Sequence, residues 1–323
     1  MRIFFLFIII SAQYNCTPII GPDRQETEED KLWHFWSVDW HPTQDLIALG
    51  GSNNTQLKLI STSKLQETRS IHYPGTITQT KWHPSKNLLA ISVQDGKSKS
   101  SIFNIETGEL KELDSLPSSG ARALGWNHSG SLLAVGDNEG YITIFNNQGG
   151  YLKSINTNQK GLMSLDWHPK ENIIVAVGEN ITIYNYSNDV MEHFRSREES
   201  VLTLCVAWHP SGELFVTGDY GDIQNQNAPL LQYWTSDGEK IRSIERSKAE
   251  YRNIAWSSDG ELLATASEKI RTWDKEGKLI REKAVKNLLW GLDWRDDKIV
   301  STDDNKKIIF WNNNLDKIEE LHY

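Results

Sequence analysis

Short apolar runs alternate with polar turns along most of the chain, and one phrase recurs: an apolar strand ending in Trp, a tight turn, then a second apolar strand. It stands as Val38-Asp39-Trp40-His41-Pro42, Thr80-Lys81-Trp82-His83-Pro84, Leu124-Gly125-Trp126-Asn127-His128 and Leu165-Asp166-Trp167-His168-Pro169. It returns as Val206-Ala207-Trp208-His209-Pro210, Ile254-Ala255-Trp256-Ser257-Ser258 and Leu292-Asp293-Trp294-Arg295-Asp296. The seven Trp lie 38 to 48 residues apart, the period of a four-stranded propeller blade. A second strand follows each turn, as in Leu46-Ile47-Ala48-Leu49 or Leu262-Leu263-Ala264-Thr265. A third strand ends near Phe103, Phe145, Tyr184, Trp234, Trp273 or Trp311, with Ile60 in the first repeat. The outer strand is polar and half exposed, as in Lys240-Ile241-Arg242-Ser243-Ile244. Only the fifth repeat is long, and its extra residues lie in Asp219 to Pro229. The fold class predicted is all-β, a seven-bladed β-propeller of four-stranded antiparallel blades. No blade can bury its own faces, so all seven must close into a ring.

The Trp273-Asp274 dipeptide, the Trp-x-Pro turns and the Leu-Ala-x-x strands resemble the WD-repeat (WD-40 type) family over about residues 34–323. The chain departs from that family in lacking the Gly-His pair before the first strand and, in most repeats, the WD dipeptide. That puts the family's His–Asp bracing network in question and leaves Trp packing to carry more of the load. The last repeat holds candidates for all four strands, ending in Lys317 to His322, so a C-terminal strand is expected to finish the seventh blade.

Ahead of the repeats, residues 1–15 read as a signal peptide and 16–32 as a polar tether, with the propeller over 33–323. Arg2 precedes a short apolar run, Ile3 to Ile10, then Ser11 and Ala12. As a helix that run is about 12 Å long, too short for a hydrocarbon core of about 30 Å. Basic start, short apolar core and small residues are the form of a secretory signal, which predicts an exported protein of the cell envelope. Two processing routes stay open: cleavage after Ala12, or lipidation at Cys16 as in bacterial lipoproteins, with membrane attachment through the lipid. Residues Gln13-Tyr14-Asn15 depart from the usual lipobox.

The formal net charge of -9 argues against nucleic acid as the main partner. Two cysteines, Cys16 and Cys205, make no disulfide framework and no zinc spacing, and Cys205 is expected to be a buried strand residue. Of nine His, five (His41, His83, His128, His168 and His209) sit in the repeated turn and cannot converge on one ion. Neither a Gly-x-Ser-x-Gly elbow nor a phosphate-cradling Gly loop is present. No cofactor is expected. The loop from Asp219 through Asp222, Asn225 and Asn227 carries oxygen ligands that could hold Ca²⁺ weakly; decoration or recognition is the alternative.

The resemblance implies docking of partners on the face where the inner strands begin. Five residues before each turn Trp stand Phe35, Ile77, Ala121, Leu162, Thr203, Tyr251 and Leu289, expected in the core. Four before stand Trp36, Thr78, Arg122, Met163, Leu204, Arg252 and Trp290, expected to ring the channel mouth. His34, Asp219 and Tyr220 are expected to add to the rim. Two Trp and two Arg are types favoured at binding hot spots, and both arginines offer bidentate contacts to carboxylates. Trp36 and Trp290 could instead merely pack on each other across neighbouring blades. The reading is a non-enzymatic, monomeric scaffold for a protein or peptide partner. Its alternatives are a propeller enzyme, such as a metal-dependent hydrolase or lactonase, and a glycan or small-ligand binder at the same mouth.

Overall fold

The structure is a computed structural model, and it describes residues 34–323 apart from 53–55, 74, 95–98 and 117–119. The expectations for residues 1–33, Cys16 among them, lie outside the described residues. Among the described residues, twenty-eight strands form seven four-stranded antiparallel sheets spanning residues 35–72, 77–112, 121–156, 164–194, 203–245, 253–284 and 289–322. Within each sheet the strands follow in sequence order, so every blade is a meander. The seventh is completed by Lys317–His322, its own fourth strand.

The hydrophobic core is seven clusters, each straddling a pair of neighbouring blades. Blades three and four share one that includes Ala123, Leu132 and Ile144 with Leu162, Trp167 and Tyr184. The ring closes through another, in which Phe35, Val38 and Trp40 of blade one meet Val300, Ile308 and Phe310 of blade seven. The residues five before each Trp, from Phe35 to Leu289, are all fully buried. Burying such a side chain contributes about 1.5–3 kcal/mol, and here it does so only between blades. Fourth strands stay exposed along nearly their whole length, as in Lys240–Glu245, since no neighbour covers them.

Hydrogen bonds brace the same interfaces. The His after the turn Trp accepts its own turn's backbone N–H groups at Nδ1: Thr43 and Gln44 for His41, Ser85 and Lys86 for His83, Lys170 and Glu171 for His168. Nε2 is then the protonated nitrogen, and it donates to the next blade's turn. His83 reaches Gly130 O at 2.9 Å, His168 reaches Gly212 O at 3.1 Å and His209 reaches Gly260 O at 2.9 Å. His41 reaches Asn87 Oδ1 at 2.9 Å. Each ring also packs on the next turn Trp, with centroids 4.6 to 5.0 Å apart. His128 does not belong to this series. It is exposed, and Asn127 takes the position, bonding Asn172 of blade four at 2.8 Å.

In the long fifth repeat a short 3-10 turn, Ile223–Asn225, sits between the second and third strands. Asp219 anchors it from inside, accepting Gly221 N and Leu230 N and pairing with Arg197 at 3.1 Å. A carboxylate so committed is not free to hold Ca²⁺. No group of three His, Cys, Asp or Glu suited to a metal ion occurs among the described residues.

Candidate functional site

All seven inner strands begin around one open cavity of about 70 Å³. Trp36, Thr78, Arg122, Met163, Leu204, Arg252 and Trp290 all line it. Local geometry explains why. In five blades the residue four before the Trp falls in a break of register: Phe35 pairs with Gly51 but Ser37 with Gly50, leaving Trp36 as the extra residue. Thr78, Arg122, Leu204 and Trp290 sit in equivalent breaks. A bulge re-aims a side chain, so these residues turn to the axis while their predecessors stay in the core. Met163 and Arg252 stand just ahead of their strands, held by N–H bonds to Val177 O and Ala266 O. The following residue reaches the cavity as well, Ser37, Gln79 and Cys205 after the bulge and Ser164 and Asn253 at the first position of regular strands. Strict alternation along the strand does not foresee this second tier.

Trp36 and Trp290 do pack together, with centroids 5.3 Å apart, and His34 stacks on Trp36 and meets Trp290 at a tilt. They line the cavity as well, so packing and exposure to a ligand coexist. Arg252 lies 3.9 Å from the Trp290 ring centroid and is paired with Glu250. Tyr220 stands back from the cavity, 5.9 Å from the Arg252 guanidinium. Asp219 faces Arg197 and is buried, so it is no part of the rim. Arg122 lies 5.4 Å from the Trp36 centroid and has no carboxylate partner among the described residues. Burial, and then the Arg252 charge, lower its pKa to about 10. Burial, then Arg252 and Lys306, lower His34 to about 4, so it is neutral at pH 7. The indole N–H groups of Trp36 and Trp290 find no acceptor among the described residues.

The other end of the inner strands is different. There the residues just before the turn Trp include Asp39, Lys81, Asp166 and Asp293, all drawn into one electrostatic cluster. Asp39 bonds Lys81 Nζ and Trp82 N, both at 2.7 Å. Asp293 accepts Trp40 N at 2.7 Å and Asp166 accepts Trp208 N at 2.8 Å. Each of the three Asp thus staples its blade to the next. Burial raises Asp166 to about 6; burial, with the Asp39 charge, raises Asp293 to about 7. Burial works against the charge on Lys81, but Asp39 and Asp293 more than offset it and raise its pKa. A hollow of about 210 Å³ at this end is lined by Trp82, Trp126 and Trp167. Their indole N–H groups are all satisfied, by Asp39 O, Lys81 O and Gly125 O at 2.9 to 3.1 Å. Those of Trp40, Trp208 and Trp256, the turn Trp of blades one, five and six, find no acceptor among the described residues.

Seven four-stranded blades around a channel whose mouth is lined by two Trp and two Arg define a propeller of the WD-repeat class. The family model for the anaphase-promoting complex subunit 4 WD40 domain matches residues 38–121 and 114–170, and that for the WD domain, G-beta repeat, matches 191–223. The chain belongs to the WD-repeat family. Among curated proteins it is similar to the SIR4-interacting protein SIF2 of Saccharomyces cerevisiae, 24% identical over 254 residues. That match covers 75% of this chain and 43% of the relative, so the chain spans less than half the length of the curated relative it matches.

Proposed function

We propose that the protein is a non-enzymatic scaffold that binds a protein or peptide partner on the face ringing the channel mouth. The observation that carries this is what converges on the one cavity at the mouth: two Trp, and an Arg122 guanidinium with no carboxylate partner among the described residues. Cavity size argues against the alternatives. The mouth holds about 70 Å³, enough for a few waters at about 10–15 Å³ each. Ligand pockets of enzymes and glycan binders run to about 300–1,000 Å³. A relative named for its interaction with another protein fits the same reading.

The test is site-specific photocrosslinking in the native cell, with the crosslinker at Thr78 in the mouth and at Tyr151 on the outer edge as control. A discrete adduct from Thr78 alone, lost in Arg122→Glu with Arg252→Glu, is expected. Adducts from Tyr151 only, or no effect of the double variant, would move docking elsewhere. A stoichiometric metal retained through dialysis would instead favour the enzyme reading.

We further propose that the protein is exported on the strength of residues 1–12, and attached through Cys16 if that residue is lipidated. Mass spectrometry of the mature N-terminus decides: a chain starting at Gln13, or an unmodified Cys16 thiol, ends the lipoprotein route, and an intact Met1 ends export by cleavage.

A further inference from the structure

The two arginines at the mouth are not equivalent. Arg252 is already neutralised by Glu250 and clamped on Trp290. Asp304, whose carboxyl is raised to about 6 by burial and by Asp303, still carries charge at pH 7 and interacts with Arg252. His34 is neutral there. Arg122, half-buried and backed by the Trp36 ring, is the mouth guanidinium with no carboxylate within ion-pair distance among the described residues.

We propose that the mouth is a socket for one carboxylate side chain, an Asp or Glu within an extended segment of the partner, which pairs with Arg122. The proposal rests on the docking reading above and deepens it. Charge complementarity selects the occupant. One guanidinium without a paired carboxylate takes one carboxylate, whereas a phosphate brings about -1.5 to -2 at pH 7. That excess would face Glu250 and Asp304. Volume agrees, since about 70 Å³ takes a side-chain tip and little more. The wall beside Arg122 is formed by Met163, Thr78 and Leu204. Such a wall suits the methylene stem of Asp or Glu. A chain terminus would bring polar backbone there instead. Away from bulk water, the charge-assisted bond to a guanidinium is about twice as strong as a neutral one.

The test selects short linear peptides from two displayed libraries, one with both ends embedded and one with free C-termini, against the full chain. Synthetic versions of the selected peptides are then measured by fluorescence anisotropy. Embedded peptides with an Asp or Glu at a fixed position are expected. Changing that residue to Asn or Gln should weaken binding about tenfold or more, the scale of one hydrogen bond to a charged group. Arg122→Gln should cost the acidic peptide the same factor and the amide peptide nothing, with Arg122→Lys retaining part of the affinity. Unchanged near-ultraviolet circular dichroism shows that the variants fold.

The failures are distinct. Peptides that need Trp36 or Trp290 but share no acidic position would overturn the socket and leave docking standing. So would acidic peptides indifferent to Arg122→Gln, selection of free C-termini alone, or tighter binding of a phosphoserine version. Peptides insensitive to every mouth substitution would overturn the docking reading and the socket with it.

Discussion

The latch between blades can be measured with two glycines. Gly212 and Gly108 both adopt left-handed backbone, φ +81° and +75°. A Cβ on Gly108 would meet nothing within 4 Å, while one on Gly212 would lie 2.3 Å from His168 Nε2. Gly108→Ala therefore meets only the backbone penalty of about 1–2 kcal/mol. Reduced freedom of the unfolded chain offsets about 0.4–1 kcal/mol of it. The expected net loss is about 1 kcal/mol. Gly212→Ala carries that loss and also drives the imidazole out. The 3.1 Å bond from His168 to Gly212 O then goes, at about 1 kcal/mol. So does much of the contact with Trp208 at 4.8 Å, at about 0.5–1.5 kcal/mol. The total is about 3 kcal/mol for Gly212→Ala against about 1 for Gly108→Ala. Urea unfolding read by Trp fluorescence gives both. In a His168→Ala background the Gly212→Ala cost should fall to that at Gly108. Equal losses at the two glycines, or a cycle additive to within about 0.5 kcal/mol, would refute the latch.

Three further outcomes follow from the buried charges. Asp293 is held near 7, well above its unfolded value, so the folded state binds its proton more tightly and stability falls as pH rises from about 4 through 7. Asp293→Asn keeps an acceptor for Trp40 N–H and removes that slope, worth at most a few kcal/mol at about 1.4 kcal/mol per pH unit; parallel urea-midpoint curves for variant and parent would contradict it. Arg197→Met leaves Asp219 without its ion partner and should cost about 3 kcal/mol, with faster proteolysis of the 219–229 loop; unchanged cleavage there would show that the pair does not hold the loop. Because Asp219 is committed inward, millimolar Ca²⁺ should leave Tm unchanged in differential scanning, and a saturable rise would mean the loop binds the ion after all.

Blade number was legible because one Trp per repeat marks the end of an inner strand, and that position cannot drift without moving the strand between core and axis. The residues five before each Trp were legible as core for the same reason, down to a polar Thr203 with no exposure. The mouth could be counted out from the Trp, but the bulge that turns Trp36 or Arg122 inward is a matter of register with the next strand and leaves no mark in composition. The His latch escaped because its acceptors at Gly130, Gly212 and Gly260 are backbone carbonyls in the next repeat. His128 lies in the repeated turn as expected, but the latch slot there belongs to Asn127. Asp39, Lys81, Asp166 and Asp293 stood in plain view inside the recurring phrase. Singly, each looks like a polar strand end, and only a shared axis makes them neighbours. The difference between Arg122 and Arg252 depends on Glu250, which no spacing rule singles out.

One consequence concerns how the ring is assembled. Every strand pairs with its neighbour in sequence, and most blade contacts join adjacent repeats. The exception is the junction of the first and last blades, where Asp293 meets Trp40 N, Arg295 meets His41 O and Thr302 meets Phe35 O, across 253, 254 and 267 residues. Contacts so distant along the chain carry the largest loop-closure entropy, so six blades can form in succession while this joint waits. Zipping of repeats is therefore fast and local, and a single late docking event separates an open arc from a finished annulus.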